Sequence, residues 1–167
     1  MTQIPDETGP EAAPPALHPH IAAVTRTATR AASELKAEEL RVLDLSGRSS
    51  YCDAVVICGA SSARQVRAIA DSIVRAGRQA GHSLLGVEGL EVGRWVLIDL
   101  GDVVVHVFEG PWRGYYDLDG LFVDARAVPM AELGLTDEGL APPAPAEGPV
   151  VGSPDSVVAN GDAANDA

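Results

Sequence analysis

The fifteen residues 94–108, RWVLIDLGDVVVHVF, decide how this chain is read. Two short apolar runs flank Gly101-Asp102, a dipeptide of the kind that closes a two-residue β-hairpin. If Leu100 pairs with Val103, strand alternation puts Val96, Ile98 and Leu100 on one face with Val103, Val105 and Val107. That face is wholly aliphatic and suits packing against helices. The other face carries Trp95, Leu97 and Asp99 opposite Phe108, His106 and Val104. An indole, an imidazole, a carboxylate and a phenyl ring are an unusual set for an interior. Aromatic side chains beside a few polar groups are also the composition of an interface centre. The residues alone leave both readings open, plain core and interface, and the mixed face is expected to be the open side of the sheet.

Outward from the hairpin, the pattern is that of one domain. A chain of 167 residues can bury a core of its own. After Pro19, Ile21, Val24, Ala28, Ala31, Ala32 and Leu35 recur at helical spacing, a narrow Ala-rich stripe. Arg41 to Leu45 reads as a short strand. Tyr51 to Cys58 reads as a central one, because Ala54-Val55-Val56-Ile57-Cys58 is apolar on both faces. Ser62 with Gln65 forms a capping box ahead of a helix whose inner stripe is Val66, Ile69, Ala70, Ile73 and Gly77, with Gly81 as its stop. Leu84 to Val87 is expected as a short edge strand. Gly110-Pro111 is expected to end the sheet, with a short helix over Leu118 to Ala125 and a weak helical turn at Met130 to Leu133. The order predicts an α+β (mixed α/β) domain over 17–128, with a mixed sheet of about five strands and helices mainly on one face.

Charge is unevenly placed. The chain holds 24 acids and 12 bases, a net charge of −12. Residues 1–16 carry three acids and no bases, and residues 129–167 carry seven acids and no bases. Both segments are rich in Pro and Ala and are expected to be disordered tails. The middle is nearly neutral, with no basic stripe for gripping phosphates, so little direct nucleic-acid contact is expected. No apolar run approaches the length of a membrane span and no signal-peptide pattern appears, so the expectation is a cytoplasmic protein without membrane contact.

Candidate chemistry dissolves on inspection. Asp99, Asp102 and His106 could be drawn together as a metal or acid–base set, but the two carboxylates straddle a turn and do not converge; Asp102 is better read as the turn residue. Gly59-Ala60-Ser61-Ser62 lacks the Lys and Gly pattern of a phosphate loop. His18, His20 and His82 form no zinc spacing with Cys52 and Cys58. If both cysteines lie on one strand they point the same way about 20 Å apart, too far for a disulfide. No catalytic residue, metal or cofactor is expected.

The motifs, in order, are SSYCDAVVICGASSARQVRAIAD, VEG, RWVLIDLGDVVVHVF and YYDLDGLFVDA. Across roughly residues 20–128 they resemble the ribosomal silencing factor family, the Iojap-related proteins. The resemblance implies a binding protein with a nucleotidyltransferase-like fold that lacks the catalytic carboxylates. It implies a translational repressor that attaches to the large ribosomal subunit through its fourteenth protein. There it blocks joining of the small subunit when nutrients are short, with a further role in large-subunit maturation. By motif, Asp53, Trp95, Asp99, His106, Phe108, Tyr115, Tyr116 and Leu118 fall on signature positions. The residues expected to bind the partner are Trp95, Asp99, His106, Phe108, Tyr115, Tyr116 and Leu118. The chain departs from the pattern at Ala54, Gly114, Asp119 and Phe122. The alternatives are a nucleotidyltransferase-like enzyme and a homodimer whose mixed face is its own interface.

Overall fold

A computed structural model of the chain describes residues 16–135. Of the tail expected over 1–16 only Ala16 falls within that range, and of the tail expected over 129–167 residues 136–167 lie outside it.

The first helix, α1 (Pro19–Glu34), starts where the sequence places it. Proline fits the first turn of a helix because its missing N–H would have had no partner there. Its buried face is Ile21, Val24, Thr25, Ala28, Thr29, Ala31 and Ala32, while Leu35 forms the C-cap and is partly exposed. Strand β1 (Glu38–Asp44) runs into β2 (Ala54–Ala60), every residue of which is buried. Helix α2 (Ala63–Gln79) follows, with Ser62 Oγ accepting from Gln65 N at 3.3 Å. Gln65 closes the cap one residue early, its Oε1 accepting from Ser61 N at 2.9 Å. Then come the short β3 (Gly86–Glu88) and the hairpin strands β4 (Trp95–Asp99) and β5 (Val103–Glu109).

The hairpin has the expected register. Asp99 lies opposite Val104, Ile98 opposite Val105 and Val96 opposite Val107, and Leu100 N donates to Val103 O at 2.9 Å. The sheet has six strands in the order β3-β4-β5-β2-β1-β6, where β6 is Arg126–Ala127. Only β2 and β5 run parallel; the other pairings are antiparallel. The sixth strand escapes a sequence reading because two residues carry no periodicity. The first half of β1 escapes it too: Glu38 and Glu39 are exposed and Glu39 takes φ +45°, an irregularity in the pairing with β2.

Helices α1 and α2 cover the aliphatic face. Val96, Ile98, Val103, Val105 and Val107 pack there with Ile21, Val24, Val66, Ile69 and Ile73. A 3₁₀ turn, Met130–Leu133, adds Leu133 and Leu135 to the same core. Arg26 Nε donates to Leu133 O at 2.5 Å, and Arg126 Nη1 pairs with Glu132 at 2.7 Å. The domain boundary expected at 128 therefore falls inside packed structure, which continues to Leu135. Among the described residues no helix is long and apolar enough to cross a membrane.

Gly110-Pro111 does not simply end the sheet. It opens α3 (Gly110–Tyr116), proline again occupying the first turn, and α4 (Leu118–Leu121) follows, shorter than the helix expected to run on to Ala125. Asp117 joins the two in the left-handed region at φ +44°, its carboxylate accepting from Gly120 N at 3.0 Å. This reversal folds the pair of short helices back over the mixed face.

Candidate functional site

The mixed face is organised in rows across the sheet, because residues paired across strands share a side. One row runs Glu88, Leu97, His106, Ile57; the next runs Asp99, Val104, Val55, Leu43; Trp95 and Phe108 form a third. Leu43, Val55, Ile57, Val104 and Phe108 pack with Leu45, Cys52 and Leu118 into a second core. The sheet is therefore cored on both sides.

The expectation that this face lies open is corrected in part. Phe108 is fully buried and His106 is only 7% exposed, because the rings are covered by one another and by α3 and α4. Trp95 stacks on Phe108 with ring centroids 5.2 Å apart and meets Tyr116 at 4.6 Å. Trp95 Nε1 donates to His106 Nδ1 at 3.1 Å. A nitrogen that accepts carries no proton, so His106 is the neutral tautomer protonated on Nε2. Burial pushes its pKa down to about 4, which keeps it neutral near pH 7. What reaches the surface is a rim. Trp95 is half-buried, Tyr116 is 44% and Tyr115 is 75% exposed, and Tyr115 stands edge-on to both Trp112 and Tyr116. The Arg94 guanidinium lies 4.7 Å from the Trp112 ring centroid.

Two of the expected residues have local duties. One oxygen of Asp99 accepts from Gly101 N at 2.9 Å, closing the hairpin turn, and the carboxylate is half-buried. Leu118 is buried under the rim. Asp53 and Ala54 N both donate to the carbonyl of Asp102, so the hairpin turn anchors the start of β2. Asp99 and Asp102 thus remain turn residues rather than a converging pair. Among the described residues no cluster of three or more His, Cys, Asp or Glu is placed to hold a metal ion.

Three participants were not foreseen. The first is Arg113, 8% exposed, which pins α3 and α4 to the sheet. Its Nε and Nη2 take Asp119 in a fork at 2.9 and 3.2 Å, and its Nη1 donates to Glu39 O at 2.6 Å. Arg41 reaches the same carboxylate at 2.5 Å, and these bonds, led by Arg113, hold Asp119 below the usual carboxylate range. The departure at Asp119 therefore keeps a working ion pair. The second is Cys52. The thiols do not share a side: Cys52 precedes β2 and belongs to the second core, while Cys58 lies within β2 in the first. Burial pushes them up to about 11 and about 12. The third is a cavity of about 270 Å³ beside Trp95, lined by Leu45, Tyr51, Cys52, His106, Leu118 and Leu121 among others. Tyr51 and Leu121 at its mouth are 64% and 73% exposed. A run of exposed apolar side chains around Tyr51 and Leu121 is a signal only once α4 is seen to fold back.

The family model described as "Ribosomal silencing factor during starvation" matches residues 18–149. The ribosomal silencing factor RsfS of Halalkalibacterium halodurans is 43% identical over 103 residues, 62% of this chain and 88% of that protein. That of Bacillus subtilis is 41% identical over 110 residues, covering 66% and 91%. A crystal structure of a protein from Chromobacterium violaceum matches with a TM-score of 0.59 at 38% identity, covering 60% of this chain and 84% of that one.

Proposed function

The chain belongs to the ribosomal silencing factor family, and from that premise we propose how it regulates translation by silencing ribosomes. It attaches to the large ribosomal subunit through that subunit's fourteenth protein and blocks joining of the small subunit, without catalysing a reaction. Association with a maturing large subunit would use the same face, and the protein acts in the cytoplasm.

The observation that carries this reading is the aromatic rim. Trp95, Tyr115 and Tyr116 expose ring surface that the chain itself leaves uncovered, above a rigid floor of Phe108 and His106. Rigid aromatics on a packed support are the side chains that dominate interface energetics. Asp99 and its neighbours supply negative charge for a basic protein partner, and the near-neutral domain disfavours a grip on naked RNA.

The test is co-sedimentation with isolated large subunits, followed by an assay of subunit joining. Trp95→Ala is expected to weaken binding by about 2 kcal/mol or more, roughly thirtyfold. Wild-type affinity in both Trp95→Ala and Tyr116→Ala would remove this face from the account. Stabilisation of the protein by nucleotide and magnesium would favour the enzymatic alternative, and sedimentation of the free protein as a dimer would favour self-association.

A further inference from the structure

We infer that the cavity beside Trp95 seats one apolar side chain of the protein partner, an aliphatic or phenyl group with a lysine or arginine next to it. The inference rests on the docking reading above and gives the partner's chemistry.

Three observations carry it. At about 270 Å³ the cavity falls just below the ~300–1,000 Å³ typical of small-molecule sites. Its wall is almost wholly apolar; His106, Trp95, Ser49, Tyr51 and Cys52 bring the hydrogen-bonding groups, and Nδ1 of His106 and Nε1 of Trp95 are already bonded to each other. Such a wall has few converging polar groups with which to orient a metabolite, but it suits a hydrocarbon anchor. The mouth is continuous with the rim, since Trp95 lines the cavity and Tyr51 and Leu121 extend the exposed apolar border.

Charge specifies the neighbour. Glu88 and Asp99 stand on the same sheet face, Glu88 opposite Leu97 and Asp99 two residues further along β4. Each is paired across the sheet with a residue that lines the cavity, Glu88 with Leu97 and Asp99 with Val104. A second, smaller cleft lined by Glu88 and Gly89 shares Trp95 and Leu97 with the first. An anchor in the cavity therefore places the next residue of the partner against two carboxylates, where a cation is favoured.

The experiment uses the full chain and isolated large ribosomal subunits, with affinity read by co-sedimentation. Cys52→Met narrows the cavity from its inner wall without touching the rim and is expected to weaken binding at least tenfold. Cys52→Ala, which leaves the seat free, is expected to stay within about twofold of wild type. Glu88→Lys, at an exposed position, is expected to weaken binding at least fivefold by repelling the cation. Wild-type affinity in Cys52→Met alongside lost binding in Trp95→Ala overturns the anchor and leaves the docking face standing. Wild-type affinity in Trp95→Ala and Tyr116→Ala as well is failure of the docking face itself. Wild-type affinity in Glu88→Lys overturns the cation. Should Cys52→Met not fold, Leu121→Asp at the exposed mouth of the cavity takes its place, with binding expected to weaken at least tenfold and wild-type affinity overturning the anchor.

Discussion

Lowering the pH from 7 to 5 is expected to cost the fold about 2 kcal/mol through the single imidazole of His106. The ring is buried, and its Nδ1 accepts from Trp95 at 3.1 Å. Burial holds its folded pKa at about 4, against the ordinary 6.5. An unfolded chain takes up the proton near pH 6.5, while the folded chain refuses it until about pH 4. Between those values the unfolded state binds more protons, so stability falls as the pH falls through that window and is constant above it. The full gap corresponds to about 3 kcal/mol, of which about 2 kcal/mol is reached by pH 5. For a domain of this size that lowers Tm by roughly 6–10 °C.

Urea unfolding at pH 7 and pH 5, followed by the fluorescence of Trp95 and Trp112, measures the loss. The control is His106→Asn, whose Oδ1 can accept from the Trp95 indole but which does not titrate. The variant is less stable at both pH values, yet its drop between them is expected to be smaller than that of the wild type by about 2 kcal/mol. The carboxylates of Asp44, Asp119 and Glu132 have lowered folded pKa values. Their contribution is present above the ordinary carboxylate range and is lost as the pH falls through and below it, under the pH 7 to 5 interval compared, and the comparison with His106→Asn removes what remains. Equal drops in the two proteins, or an NMR titration placing His106 near 6.5, would refute the reasoning.

Phe108→Ala removes a fully buried ring under Trp95 and Tyr116 and is expected to lower stability by about 3–5 kcal/mol, read from the urea midpoint. Asp119→Asn leaves the buried Arg113 guanidinium with only the exposed Glu39 carboxylate, at 3.6 Å, as a charged partner. The carboxylate is partly exposed, so the loss is expected near about 2 kcal/mol rather than the full value for a buried pair, with faster proteolysis of α3 and α4 as the local sign. Gly89→Ala puts a Cβ into the Trp95 carbonyl at φ +86°, where only glycine is comfortable, and is expected to cost about 2 kcal/mol or more by the same unfolding assay.

Much of the framework was legible because strand alternation is strict. The hairpin register, the aliphatic face, the buried run of β2 and the stripe of α2 all follow from period and turn chemistry. The cover on the mixed face was not. Gly110-Pro111 is a breaker in a strand and a starter in a helix, and what decides between them is the buried fork of Arg113 and Asp119, which forms only after Asp117 turns the chain back. The same turn buries Leu118 and makes the cavity. Cys52 was assigned a side by assuming one unbroken strand from Tyr51, but the strand begins at Ala54, and the alternation does not extend to the residues before it.

The parallel pairing of β2 with β5 governs the order in which this surface comes into being. Its two strands are separated in the chain by α2, β3 and β4, and the helices that finish the rim come later still. A chain leaving the exit tunnel delivers Trp95 and His106 before it delivers Tyr115, Tyr116 and Leu118. The proposed docking surface is thus completed near the end of the folded domain's own synthesis. A half-made copy carries the indole without its neighbouring tyrosines, and has no finished face with which to engage the machine that is making it.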